Sequence, residues 1–201
     1  MTTGHEHKEE KVTMSDLKAS IFSSSMDAAG YIIQEWTELT REKALPAELQ
    51  YTIRFEMLIF FLLMMERYAA NAGCIDTRDA FKDEIIVKVL ERLITPTFKN
   101  SEVQNDPDAK ASHNRMVNEA FEHFHEAASS YNGITKLRDN RPDFRGERTI
   151  LGRLSFRIAT HTKQTSNPMF MMFIIQAAAS SLPYSNLKSQ VEQVCESLAK
   201  P

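Results

Sequence analysis

The chain has 201 residues, 42% of them apolar and 25% charged, with 6 Gly, 7 Pro and a formal net charge of −3. This composition excludes a disordered, collagen-like or linker-dominated chain and fits one medium-sized domain built from helix formers. A pI of about 6.1 leaves no chain-wide basic footprint for nucleic acid or an anionic membrane.

Residues 1–13 contain no apolar stretch, so they predict a solvated tail rather than a secretory signal. His5 and His7 flank Glu6 there, a weak metal-binding pattern at most. Residues 14–201 are expected to form one all-helical domain. The first helix should cover about 15–41, with Leu17, Ile21, Ala28, Ile32, Trp36 and Leu39 at helical spacing. Its middle is small (Ser23, Ser24, Ser25, Ala28, Ala29, Gly30), which permits close approach of another backbone or a bend.

A second helix is expected over 47–71. Between Glu56 and Glu66 every residue is apolar, so no side of this helix can face water. The run is nine residues long, well short of the roughly 20 that cross a bilayer. Asp76 or Thr77 should cap a third helix that ends before Pro96, and a polar acidic connector follows over 100–108. Asp106 then caps a fourth helix, with Pro107 at its first position and Asn132-Gly133 at its end. Residues 133–146 form a long irregular connection. A fifth helix is expected over 147–163 and a sixth from Asn167-Pro168 to just before Pro183. A seventh should cover 184–198, with Leu187, Val191, Val194 and Leu198 as its seam.

The sixth helix resembles the second, being apolar all round from Met169 to Ile175. The expected fold is therefore all-α: a single-domain bundle of six to seven helices around two central apolar helices, covered by this chain or by a second copy.

The motifs are sparse. Glu122 and His125 form one ExxH, where a di-iron bundle site needs two plus two further glutamates. Both also project opposite the stripe Met116, Ala120, Phe124, Ala127, Tyr131. No metal site and no cofactor is expected. His113 and His161 fall on core stripes. The plain reading is two hydrogen-bonded interior or boundary histidines; the sharper one is a catalytic pair converging with Glu56. Cys74 and Cys195 lie far apart and form no CxxC pair. They predict two free thiols in a reducing compartment, and with it a cytoplasmic location.

Charge is concentrated in one window. Residues 136–163 hold eight Lys and Arg against three acids, a balance of +5 that leaves −8 for the rest of the chain. Arg138, Arg141, Arg145, Arg148, Arg153 and Arg157 are thus candidates for contact with an acidic or phosphate-bearing partner, or for docking on the chain's own acidic connector. Nucleic acid is disfavoured, since no recognition motif is present. Phe156 falls out of phase with the stripe of the fifth helix, against another element or a partner. Six of the ten methionines sit in the second and sixth helices. Most simply they are core filler, but Phe60, Met64, Met65, Met171 and Met172 could also line an apolar pocket for a small molecule.

Three functional readings follow. The leading one is a non-catalytic cytosolic interaction or regulatory module, self-associating as a homo-oligomer and using 136–163 to meet an acidic partner. The second is a small-molecule binding protein, and the third an enzyme using His113, His161 and Glu56.

Overall fold

The computed structural model describes residues 11–40, 44–74, 83–97 and 106–199. They contain seven α-helices and no strand: α1 (Met14–Thr40), α2 (Ala47–Asn71), α3 (Lys88–Ile94), α4 (Pro107–Ser130), α5 (Ile150–His161), α6 (Pro168–Tyr184) and α7 (Leu187–Leu198). A π-helical turn, Asp83–Val87, leads into α3, and a 3₁₀ turn, Thr95–Thr97, leads out. The all-α single-domain bundle expected from the sequence is what forms. The His5/His7 pattern, the start of the third helix and most of the acidic connector lie outside the described residues.

Local chemistry sets the helix starts. Thr13 and Asp16 exchange hydrogen bonds at 2.9 and 3.2 Å, a reciprocal box that closes the first turn of α1. The Asp106 carboxylate accepts from the Asp108 N–H at 2.9 Å ahead of Pro107, and the Asn167 side chain accepts from Phe170 N–H at 3.1 Å ahead of Pro168.

α2 is the centre. Its residues from Glu56 to Met65 are buried without interruption, because α1, α4, α5 and α7 all pack against it. α6 behaves differently from its equally apolar twin. It rests mainly on α1 and α5 and buries one face, Phe170, Met171, Ile174, Ala177, Ala178 and Leu182. On its other side Met169 is 59% and Met172 40% exposed. The ring of Trp36 meets Phe170 edge-on at 4.7 Å, joining α1 to α6.

Several expectations need correction. Cys74 and Cys195 are bonded to each other, not free. α7 returns past the C-terminal end of α2 and brings their Cα atoms to 5.8 Å, a proximity that separation along the chain could not reveal. Pro183 lies inside the last turn of α6 rather than beyond it. Asn186, with a left-handed φ of 50°, then turns the chain into α7. The α7 seam is Leu187, Val191, Val194 and Cys195, whereas Leu198 is 44% exposed. Among the described residues, the five expected around an apolar pocket are divided between core and surface. Phe60, Met64, Met65 and Met171 are packed in the core and Met172 is on the surface. No helix among the described residues is long and apolar enough to cross a membrane.

Candidate functional site

α2, α4 and α5 converge around one buried carboxylate. Glu56 is the last polar residue before the apolar run of α2 and is 3% exposed. An ionised carboxylate in that position requires counter-charge and hydrogen bonds. Arg157, from the middle of α5, supplies both as a fork: its Nε donates to Oε2 at 3.0 Å and its Nη2 to Oε1 at 2.8 Å. His161, one turn later on the same face, places Nε2 3.2 Å from Oε1. Burial pushes the Glu56 carboxyl up, but the hydrogen bonds and charges of His161 and Arg157 overcome it and hold the group below its ordinary range. The same contact raises His161, whose side chain keeps half its surface exposed. His161 is thus a boundary residue, not an interior one.

His113 does not join them. It is buried on the side of α4 that meets the α3 region, where its Nε2 lies 3.4 Å from the Thr95 hydroxyl. It lines no part of the cleft that holds Glu56. The three candidates therefore divide into a converged pair and a satisfied core histidine.

Glu56, Arg157 and His161 form the floor of a cleft of about 470 Å³. Helical spacing assembles its walls. Tyr51 and Thr52, about one turn before Glu56 on α2, and Phe55, its immediate neighbour, supply one wall, with the Tyr51 and Phe55 rings stacked 6.1 Å apart. Met116, Glu119, Ala120, His123 and Glu126 come from successive turns of α4. The Phe55 ring meets the His123 ring edge-on at 6.3 Å. Nothing in the linear order of the chain marks this cleft. The usable signals are Glu56, a charge adjoining an apolar run, and His161, a histidine on the stripe of α5. Beneath the floor lies Tyr131, 1% exposed, whose hydroxyl has no hydrogen-bond partner among the described residues. Burial, and then the Glu56 charge, push this phenol far above its ordinary value.

The basic window divides in a similar way. Arg157 is turned inward onto Glu56. Arg148 lies 3.9 Å from both Asp139 and Asp143, and Lys136 pairs with Asp139 at 3.0 Å. Arg153 is half-buried, with its Nε enclosed. Arg138, Arg141 and Arg145 are exposed and make no ion pair among the described residues.

The irregular segment that carries those three is built around Asp143, which is 6% exposed. Its Oδ2 accepts from the N–H of Arg148 and of Thr149, each at 2.8 Å, and from the Thr149 hydroxyl at 3.2 Å. Burial opposes its charge, but these donors and the Glu147 N–H hold the carboxyl low. The Thr149 hydroxyl in turn accepts from Gly152 N–H at 3.0 Å and caps α5. Ile150 and Leu151 donate to the carbonyls of Lys136 and Leu137 at 2.9 and 3.1 Å, satisfying amides at the start of the helix.

Two glycines allow the fit. A Cβ on Gly152 would lie 2.6 Å from Asp143, and one on Gly146, at φ +64°, 2.9 Å from Phe156 Cβ. Phe156 thus packs under the segment, which accounts for its phase. The result is a pinned loop that shows Phe144, 37% exposed, between Arg141 and Arg145.

Glu122 and His125 are exposed, as their helical phase required. No group of His, Cys, Asp and Glu able to hold a metal ion occurs among the described residues. Neither a protein-family model, nor a curated protein, nor a solved structure matches this chain.

Proposed function

We propose that this protein is a non-catalytic helical interaction module whose contact surface is the loop over 133–149, and that its partner is an acidic protein segment. The supporting observation is the Asp143 anchor. It pins the loop by four donors while Arg138, Arg141 and Arg145 are left without carboxylate partners among the described residues, around an exposed Phe144. A pre-ordered loop loses little conformational entropy on binding. Arginines beside an aromatic ring are the residues that most often carry binding energy. Self-association belongs to the same reading, through the Met169 and Met172 side of α6. The cysteines no longer argue for a reducing, cytoplasmic setting once Cys74 is bonded to Cys195. A catalytic role draws less support, because His113 stands apart and Arg157 already engages both oxygens of Glu56.

Fluorescence anisotropy tests the loop, using a labelled peptide of glutamates interrupted by leucines. Replacing Arg138, Arg141 and Arg145 together by Ala should weaken binding about three- to a hundredfold, at roughly 0.2–1 kcal/mol per exposed charge. Phe144→Ala should weaken it further. Equal affinity of the wild type and the triple variant, or preference for a DNA duplex over the peptide, would overturn the proposal. Light scattering that finds a monomer at all concentrations would remove the self-association part.

A further inference from the structure

We infer that the cleft between α2, α4 and α5 is a binding site for a small organic cation with a flat apolar body. The cleft is separate from the loop, and the inference stands without the loop's proposed role. Its volume, about 470 Å³, lies within the range of small-molecule sites. Its apolar lining includes an aromatic pair: Tyr51 is 40% exposed and lies parallel, within 9°, to the half-buried Phe55. Met116 faces them from α4. A planar hydrocarbon body would fill this slot and displace poorly held water.

Charge selects the other end of the ligand. The floor is neutralised internally, since both oxygens of Glu56 are occupied by the Arg157 fork. An anion would find no free guanidinium there. The rim is acidic. Glu119 has no ion pair among the described residues, and Glu126 has the His123 ring at 3.6 Å. These two carboxylates are seven positions apart on α4, two turns along one face, and both border the cleft. With its histidines neutral the lining carries three carboxylates against one guanidinium, and a proton on His161 still leaves it negative. Carboxylates beside exposed aromatic faces favour a cation, by Coulomb attraction and by the ring quadrupole together.

Three probes with one body and different heads test the site: tryptamine, indole-3-ethanol and indole-3-propionate, titrated by calorimetry and by ligand-observed NMR. Tryptamine should bind at least about tenfold more tightly than the alcohol, and the propionate least, as expected for two exposed carboxylates plus a cation–π contact. Glu119→Gln with Glu126→Gln should remove most of the preference for the amine, leaving only the cation–π part, with helical circular dichroism unchanged, since both residues are exposed. Tyr51→Ala should weaken all three probes, tryptamine the most, because the alanine removes both the stacking face and the cation–π contact. Binding of none of them at about 5 mM, a preference for the propionate, or an amine preference undiminished by the double substitution would overturn the inference.

Discussion

Substituting Glu56 by Gln tests the central physical claim about this molecule. The change preserves volume and one carbonyl acceptor but removes the charge that Arg157 and His161 share. Glu56 is 3% exposed, and the Arg157 side chain retains 19% of its exposure. Leaving one member of a buried pair uncompensated costs about 3–5 kcal/mol. The partial exposure of Arg157 places this case near the lower end, at about 3 kcal/mol. For a chain of this size that corresponds to a fall in Tm of roughly 6–12 °C.

His161 contributes much less. Its side chain is half exposed, so His161→Gln should cost under about 1 kcal/mol. The discriminating control is Glu56→Met with Arg157→Met, which removes both charges and should recover most of the loss.

The same triad prescribes a pH profile. Glu56 is held below its ordinary 4.5. Its contribution is complete above that value and disappears as pH falls through the folded value. His161 is held above its ordinary 6.5, so its smaller contribution is complete below 6.5 and is lost as pH rises through the folded value. Urea unfolding followed by circular dichroism between pH 3 and 9 should therefore show a plateau in wild type with a fall on either side. In Glu56→Gln both falls should shrink. A variant within about 0.5 kcal/mol of wild type, or one with an unchanged profile, would refute the reasoning.

Other consequences are equally concrete. Reducing Cys74–Cys195, or replacing both by Ser, opens a loop with ends 121 residues apart. The expected loss is about 2–5 kcal/mol of unfolding free energy, and an unchanged urea midpoint under reductant would contradict the pairing. Gly152→Ala drives a methyl group into the Asp143 backbone and carboxylate. It should cost about 1–3 kcal/mol and increase amide exchange at Arg148 and Thr149; protected amides in the variant would count against the anchor. Tyr131→Phe removes a buried hydroxyl that has no hydrogen-bond partner among the described residues. It should leave stability unchanged or raise it by up to about 1 kcal/mol. A loss greater than that in thermal melts would mean the hydroxyl is satisfied by a buried water.

Much of the site was hidden in the linear order for identifiable reasons. Glu56 was singled out as the charge adjoining an apolar run, and His161 as a histidine on the stripe of α5. Arg157 was counted with the outward-facing arginines, although it lies one turn before His161 and points the same way. Its direction depended on where α5 docks on α2, which no local pattern encodes. Asp143 appeared as one acid among many basic residues; its function came from three backbone N–H groups that converge only after the loop folds back on α5. The cysteines carried no signal, because contact between the ends of α2 and α7 is a long-range event.

By itself, the sequence determined the elements. The α2 bounds, the Asp106 and Asn167 caps, the wet face of Glu122 and His125 and the irregular stretch after Gly133 all follow from periodicity and capping chemistry within a turn or two of the chain. The tertiary structure alone decided which of two equally apolar helices becomes the centre, which arginines turn inward and which face water. Burial and charge pairing depend on neighbours supplied from anywhere in the chain. α2 was covered on all sides while α6, with a similar composition, was covered on one.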